Sequence, residues 1–504
     1  MIVNNSLDEV KKRENALSII KNIIETKGRN ELYDLTGLSG GFIASSSQLS
    51  LLETYVGPAI FEDEIQEVGK KHLGGEKILP LNRTSSGILA TILSLVDEGS
   101  NVVHYLAQLP AHPSIPRSCE LVKANYFETD DFDKFEIPEN TSLVVVTGST
   151  MDHKVIDEDI FKKVIEMAHE QNIPVMVDDA SGARLRTVVF NQKKACDLGA
   201  DITITSTDKL MPGPRGGLMA GRKDLVDKIK VKANQFGLEA QPPAILAMVN
   251  GIKNFNGENL IRGFSRKEEL FKLLNKNFNA FSETPTGVMI SSHDLASEIK
   301  VSHNLSDDDL AFIFAFILLK EHGIITIPPV SMPGASTTIR FDLSTKDAFN
   351  LDLNDLNKKI EYFSKNYSVK SLCEIMNVSR SGYYKWLKNK NILNQYELNR
   401  KQLGELILDV HKRKPSYGYH RIRKIILDET GWVVSDNLVH KVCKSLNIKS
   451  KAKHYKYKKP GEESIKFYNA INGNWKTTRP FEKIVSDTTK IWFKRKPYDW
   501  TFYL

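Results

Sequence analysis

Cysteine is scarce in this chain of 504 residues. The four that occur, Cys119, Cys196, Cys373 and Cys443, lie far apart and form no C-x-x-C pair. That excludes a disulfide-stapled scaffold and a clustered-cysteine zinc site, and it reads as buried or free thiols of a reducing cytosol. No apolar run approaches the roughly 20 residues that cross a bilayer. The opening residues MIVNNSLDEVKKREN carry no apolar stretch of a secretory leader. No short-period repeat or low-complexity block stands out, so a solenoid is excluded too. The expectation is a cytoplasmic protein without membrane contact. What the chain does have is 41% hydrophobic residues, enough for real cores. Its length suggests about three or four domains by the length prior, fewer if one is a large α/β domain.

Charge divides the chain. Residues 1–360 hold 39 Lys and Arg against 49 Asp and Glu, a net of −10; residues 361–504 hold 30 against 13, a net of +17. The modest total of +7 hides this split. An acidic front and a basic tail suggest a nucleic-acid partner for the tail, although a solvated lysine-rich surface would look the same.

The front half alternates strand-like and helical runs. Strands fit 101–106, 121–126, 142–147, 173–178, 201–206 and 217–221. Helices fit 8–27, 86–97, 157–171, 223–236 and 264–278. From about 282 a smaller α+β unit follows, with 286–291, 296–302, a helix near 306–321, then 323–327 and 336–342. The pattern predicts an α/β sandwich on a mostly parallel sheet, followed by a small α+β domain. We divide the chain into 1–281, 282–360, 361–392, 393–460 and 461–504.

DITITSTDKLMPGPRGGLMAG, residues 201–221, places Lys209 just past the end of a buried strand. A poorly hydrated lysine loses basicity and can act as a nucleophile. Pyridoxal phosphate is the cofactor that uses such a lysine, held as an imine. IPVMVDDASGAR, residues 173–184, ends a strand in Asp178, a carboxylate suited to the cofactor's ring nitrogen, with Ala180 small enough for a ring to pack over it. LNRTSSGILATILSL, residues 81–95, puts Thr84, Ser85, Ser86 and Gly87 where a helix begins, and free N–H groups there bind phosphate. Ser85-Ser86 also reads as an ordinary N-cap. Phosphate cup, strand-end Asp and strand-end Ser206-x-x-Lys209 occur in the order of the fold type I pyridoxal-phosphate enzymes, which they resemble.

The loop Asp208-Lys209-Leu210, then Gly213-Pro214-Arg215-Gly216-Gly217, resembles the lysine loop of bacterial selenocysteine synthase, the L-seryl-tRNA selenium transferase. With YDLTGLSGGF (Tyr33–Phe42) and LNRTSSGILA, it is more similar to an archaeal pyridoxal-phosphate family of that type. The resemblance covers roughly residues 10–350. Arg215 stands where selenocysteine synthase has Gln, and its long tRNA-binding N-terminal part has no counterpart here. The resemblance implies lyase or transferase chemistry on an amino-acid or aminoacyl substrate, a homodimer or larger assembly, and an arginine on a late strand gripping the substrate carboxylate. Arg340 in TTIRFDL is that candidate, with a surface arginine as the alternative. His104, Tyr105 and His112 are candidates for the group stacked on the cofactor ring, and we favour His112.

The tail reads as DNA-binding. YSVKSLCEIMNVSRSGYYKWLKNK, residues 367–390, has helix-turn-helix spacing, with Arg380, Tyr383, Tyr384, Lys385 and Lys388 on the second helix. A second basic unit follows, carrying Tyr417, Tyr419 and Arg421 and then a helix capped by Ser435. KAKHYKYKKP adds Lys453, Lys456, Lys458 and Lys459 among tyrosines, which suits phosphate contact and stacking. VSRSGYYKWLK, PSYGYHRI and TTRPFEKIVSDTTKIWF resemble an IS3-type transposase of the orfB kind. That resemblance implies that Asp487 is the first carboxylate of a DDE triad on an RNase H-like integrase core. Only 17 residues follow Asp487, so the core is truncated. An intact core would bind divalent metal such as Mg²⁺ through three carboxylates, which is not expected here. The reading is a fusion of a pyridoxal-phosphate enzyme with a DNA-binding, catalytically incomplete transposase fragment, joined near residues 355–367. The alternative is a transposase-derived DNA-binding protein with the front half as passenger or sensor.

Overall fold

The computed structural model of the chain describes residues 5–276, 278–298, 306–330, 336–365, 379–389, 395–452, 473–494 and 496–503. It divides into two compact units, Met1–Trp386 and Leu387–Leu504.

The first unit is built on a seven-stranded sheet. Its strands are β1 (Lys77–Leu81), β2 (Asn101–Leu106), β3 (Asn125–Thr129), β4 (Thr141–Thr147), β5 (Val175–Asp178), β6 (Ile202–Ser206) and β7 (Gly217–Gly221). They lie in the order β1-β7-β6-β5-β4-β2-β3. β3, β2, β4, β5 and β6 run parallel, and β7 is antiparallel to both neighbours. Burial on both faces explains the continuous apolar runs. Val102, Leu143, Val145, Met176 and Ile202 pack under the helices that carry Ile88, Ile115 and Val226. Their neighbours Val103, Val144, Val146, Val175 and Val177 face Phe161, Val164 and Ile165 on the other side.

Three readings change here. The strand expected at 121–126 runs instead from Asn125 to Thr129, behind a helix Ser114–Val122. Pro113 and Pro116 look like loop residues, but proline is tolerated in a first helical turn, and Ile115, Ser118 and Cys119 form a buried helical face. Helices Val56–Leu73 and Pro242–Lys253, which pack on β1 and β7 through Phe61, Ile65, Ile245 and Leu246, were not anticipated. The segment 296–302 is not a strand in its described part, since Ser292–Glu298 is helical. Its remainder lies outside the described residues.

The small domain has an antiparallel sheet of β8 (Ser282–Thr284), β9 (Gly287–Ile290) and β10 (Ile339–Asp342), with β9 central. The helix Asp307–His322, capped by Ser306, is buried at every position from Asp309 to Leu319. The N-terminal helix Ser6–Lys27, read with the large domain, packs instead into this core through Ala16 and Ile23. Parallel pairing of Tyr33–Asp34 with Ile324–Ile325 ties it there. The apolar residues of both chain ends of the front half are therefore covered together. Leu353, Leu356 and Ile360 of the helix Leu353–Lys365 join the same core.

The second unit holds helices Gln395–Arg413, Tyr419–Thr430 and Asp436–Ser445 around Leu403, Ile407, Ile422, Ile426, Val439 and Val442. Ser435 caps the third helix as expected, accepting from the Leu438 N–H at 3.2 Å. A hairpin, Ser486–Phe493 with Lys496–Tyr503, follows.

Candidate functional site

Parallel strands end on the same edge of a sheet, and that edge is where open α/β sheets bind ligands. The last residues of β4, β5 and β6 are Thr147, Asp178 and Ser206, and all three line one cavity of about 200 Å³. Lys209 stands beside them, and Arg340 reaches in from β10 of the small domain. The site thus joins residues from Thr147 to Arg340, far apart in sequence.

Asp178 is buried, and its Oδ1 has no hydrogen-bond partner among the described residues. Burial lifts its pKa to about 6, against the pull of the Lys209 charge; Asp179 next to it adds to the rise. Lys209 is half-buried, and desolvation lowers its pKa despite Asp178 and Asp208. A carboxylate with one unpartnered oxygen and a lysine made less basic therefore share one cavity. Ala180 lines it as well.

The helix Thr84–Leu95 opens onto the cavity through Thr84 and Ser85. No side chain caps it, so the N-cap reading of Ser85-Ser86 does not hold, and its first N–H groups keep their dipole for an anion. Ser86 and Gly87 do not line the cavity. Gly87 serves packing: a side chain there would collide with Ile204 and Leu81 of the sheet.

Of the three ring-stacking candidates only His112 is at the cavity. Its Nδ1 lies 2.8 Å from Ser114 Oγ. Crowding by surrounding protein, with the cations Lys209, Arg117 and Arg83, lowers its pKa to about 4. His104 is buried between Tyr126 and Thr147, at 2.8 Å from each hydroxyl. Tyr105 packs edge-on against Phe132 and Phe135. Arg340 donates from Nη1 to the Met151 carbonyl at 2.9 Å, and its Nε has no partner among the described residues. It is buried, so the surface reading fails.

Sequence reasoning missed the supports. Arg184, fully buried, donates from Nη2 to the carbonyls of Ala180 and Ser206, each at 2.7 Å. It staples the ends of β5 and β6, and burial lowers its pKa to about 10. Asp179 pairs with Arg186, both almost wholly buried. Side chains at Gly148 or Gly182 would strike the Asp179 carboxylate, which explains glycine at both. The single hint was a second Asp and two Arg in the 178–186 segment. His153 and Arg215 also line the cavity, Arg215 with its Nε 3.7 Å from Asp208.

The Asp178 shift has a measurable consequence. A folded-state pKa raised above the unfolded value of about 3.9 favours the protonated acid in the fold. That stabilisation is full below pH 4 and disappears as pH rises through about 6, a loss of about 3 kcal/mol. Urea titrations of cofactor-free protein from pH 4 to 7 should show this loss, and Asp178→Asn should lack it. Equal pH slopes in both proteins would exclude Asp178 as the source.

In the second unit, Arg421 is exposed, with its guanidinium 5.4 Å from the Tyr417 ring centroid. Tyr417 and Tyr419 are half-buried against the helical core, and the Tyr419 ring lies tilted against His420 and His440. In the helix Arg380–Asn389, Arg380, Tyr384, Lys385 and Lys388 are exposed. The side chain of Tyr383, and Lys453, Lys456, Lys458 and Lys459 altogether, lie outside the described residues. Asp487 is exposed on its hairpin. Among the described residues no group of three His, Cys, Asp or Glu could hold a metal ion, and no helix is long and apolar enough to cross a membrane.

Known proteins share these parts. The UPF0425 C-terminal domain matches residues 277–352, the L-seryl-tRNA selenium transferase family matches 118–257, and an HTH-like domain matches 397–457. The chain is 53% identical over 361 residues to a UPF0425 pyridoxal phosphate-dependent protein of Methanothermobacter thermautotrophicus, covering 71% of this chain and 94% of that one. It is 21% identical over 212 residues to the L-seryl-tRNA(Sec) selenium transferase of Clostridium botulinum, covering 38% of this chain and 46% of that one. L-threonine transaldolase from Pseudomonas fluorescens shares the fold, with a TM-score of 0.52 at 14% identity over 77% of this chain and 98% of that one.

Proposed function

Because this chain belongs to the UPF0425 pyridoxal phosphate-dependent protein family, we propose that the cavity at the ends of β4, β5 and β6 holds pyridoxal phosphate and acts on an amino acid or aminoacyl group as a lyase or transferase. The front part has the fold type I α/β architecture, and an HTH-like domain follows it. The observation that carries the reading is the unpartnered Asp178 Oδ1 in one cavity with a lysine of lowered basicity.

The residues fit the group. Thr84 and Ser85, at an uncapped helix start, would take its phosphate together with Ser206. Asp178 would hold the ring nitrogen, Ala180 would leave room for the ring, and His112 would face it. Lys209 would attach it. Bound pyridoxal phosphate supplies an electron sink for charge developing at a substrate α-carbon. Arg340, held by the Met151 carbonyl, presents its unpartnered Nε edge to the substrate carboxylate, a match for the guanidinium fork. Lys209, easily deprotonated because it is poorly hydrated, would carry the α-proton. The test is the visible spectrum of the purified chain before and after borohydride, with the reduced residue mapped. A trapped cofactor on any lysine other than Lys209 would overturn the assignment.

Fold type I sites are commonly shared by two subunits, and we propose a homodimer or larger. Ile43 and Tyr55 of the first unit are 86% and 91% exposed, which suits a covered apolar surface. Residues 1–365 should elute as a dimer by light scattering; a monomer that holds cofactor would refute sharing.

For the tail we propose duplex-DNA binding by an IS3-type transposase segment fused to the enzyme, without strand cleavage, since among the described residues no carboxylate cluster forms with Asp487 to hold a metal ion. Its +17 charge and three-helix unit support this. Binding by the full chain should weaken about 10³-fold or more between 50 and 200 mM salt if six or more phosphates are contacted. Arg380→Ala and Lys385→Ala should flatten sequence preference, while neutralising Lys453, Lys456, Lys458 and Lys459 should weaken all duplexes alike. Salt-independent binding, or strand cleavage with Mg²⁺, would contradict the proposal.

A further inference from the structure

His153 sits in a tight turn after β4. Its N–H donates to the Thr150 carbonyl at 3.0 Å, and the Thr150 N–H donates to the Lys154 carbonyl at 3.0 Å. Its φ is 62°, the left-handed region that glycine and asparagine take with least strain. The residue is only 4% exposed, and its Nδ1 is buried without a hydrogen-bond partner among the described residues. It lines the cavity beside Lys209 and Arg340.

Two costs therefore fall on one residue. The backbone takes the left-handed conformation, uncommon for a residue with a side chain, and a polar atom is withdrawn from water without a partner among the described residues. A glycine would remove both costs and leave the turn intact. Among the described residues the imidazole also pairs with no carboxylate. The same turn supplies the Met151 carbonyl that holds Arg340, so whatever Arg340 grips lies next to this ring. Burial and the charges of Arg340 and Lys209 keep the imidazole neutral, able both to donate and to accept.

We propose that His153 contacts the substrate and selects amino acids that carry a hydrogen-bonding group on the β-carbon. The inference rests on the reading of Arg340 as the carboxylate grip. The neutral ring would give that group a partner in a place where water is excluded, and a substrate with only a methyl there would leave the nitrogen unpaired. Discrimination of about tenfold or more is expected from leaving one buried polar group unsatisfied.

The test uses the full chain loaded with pyridoxal phosphate and two probes, L-serine and L-alanine, which differ by one hydroxyl. Binding is read from the change in the visible band. The wild type should favour L-serine by about tenfold or more, and His153→Gly should lose that preference with its L-alanine affinity changed less than about threefold. His153→Asn, which also tolerates positive φ, should retain part of it. Arg340→Ala should weaken both probes together. Equal affinities in the wild type, or a preference that survives in His153→Gly, would overturn the role of His153 alone. A wild-type band that responds to neither probe would overturn the amino-acid reading of the site, and this inference with it.

Discussion

Lys209→Ala should purify colourless. No visible band and no borohydride-stable adduct should form, because the variant has no amine at the end of β6 to attach the cofactor. Folding should survive: the lysine is half-buried and its burial lowers its own basicity, so removing it does not strand an ion pair. Lys209→Arg should be equally colourless, since a guanidinium keeps the charge but is too weak a nucleophile. The check is absorption together with thermal melting. A normal, trappable band in Lys209→Ala would sink the assignment, whereas a colourless variant that melts like the wild type would support it.

Asp179→Ala should be the most damaging single change to the fold of the front half. Arg186 would be left fully buried with its charge uncompensated, retaining only neutral acceptors such as the Lys193 carbonyl at 2.9 Å. Breaking a buried ion pair from one side costs about 3–5 kcal/mol. That is a large fraction of a typical domain's stability. Asp179 also sits between Gly148 and Gly182, directly behind Asp178, so the loss should loosen the cavity at the ends of β4, β5 and β6. The double variant Asp179→Ala/Arg186→Met should recover much of the loss, because no buried charge then remains. Urea unfolding of the single and double variants measures both. A double variant no better than Asp179→Ala would show that packing, not the ion pair, sets the cost.

Much of the site was legible from local chemistry. A strand ending in Asp178, a strand ending in Ser206 with Lys209 three residues on, and a helix opening at Thr84 are each short patterns. Their functional meaning lies in the order in which they occur. β4, β5 and β6 were equally readable, because strands buried on both faces show as unbroken apolar runs. The helix Ser114–Val122 was not, since Pro113 at its cap and Pro116 in its first turn look the same in a loop.

Sequence alone, then, determined the type of sheet, the break in charge near residue 360 and the strand ends where Asp178 and Lys209 stand, because each is written in neighbouring residues. Only the tertiary structure decided which of His104, Tyr105 and His112 reaches the cavity. His104 and Tyr105 alternate between the two faces of β2 and are packed away on both, whereas His112 lies in the loop beyond that strand, which the finished fold brings to the cavity. Folding likewise drew Ser6–Lys27 into the small-domain core, brought Arg340 across to Met151, and set Asp179, Arg184 and Arg186 behind the site. Those contacts join distant segments, and their strength comes from the exclusion of water by the finished fold, which no local stretch of sequence contains.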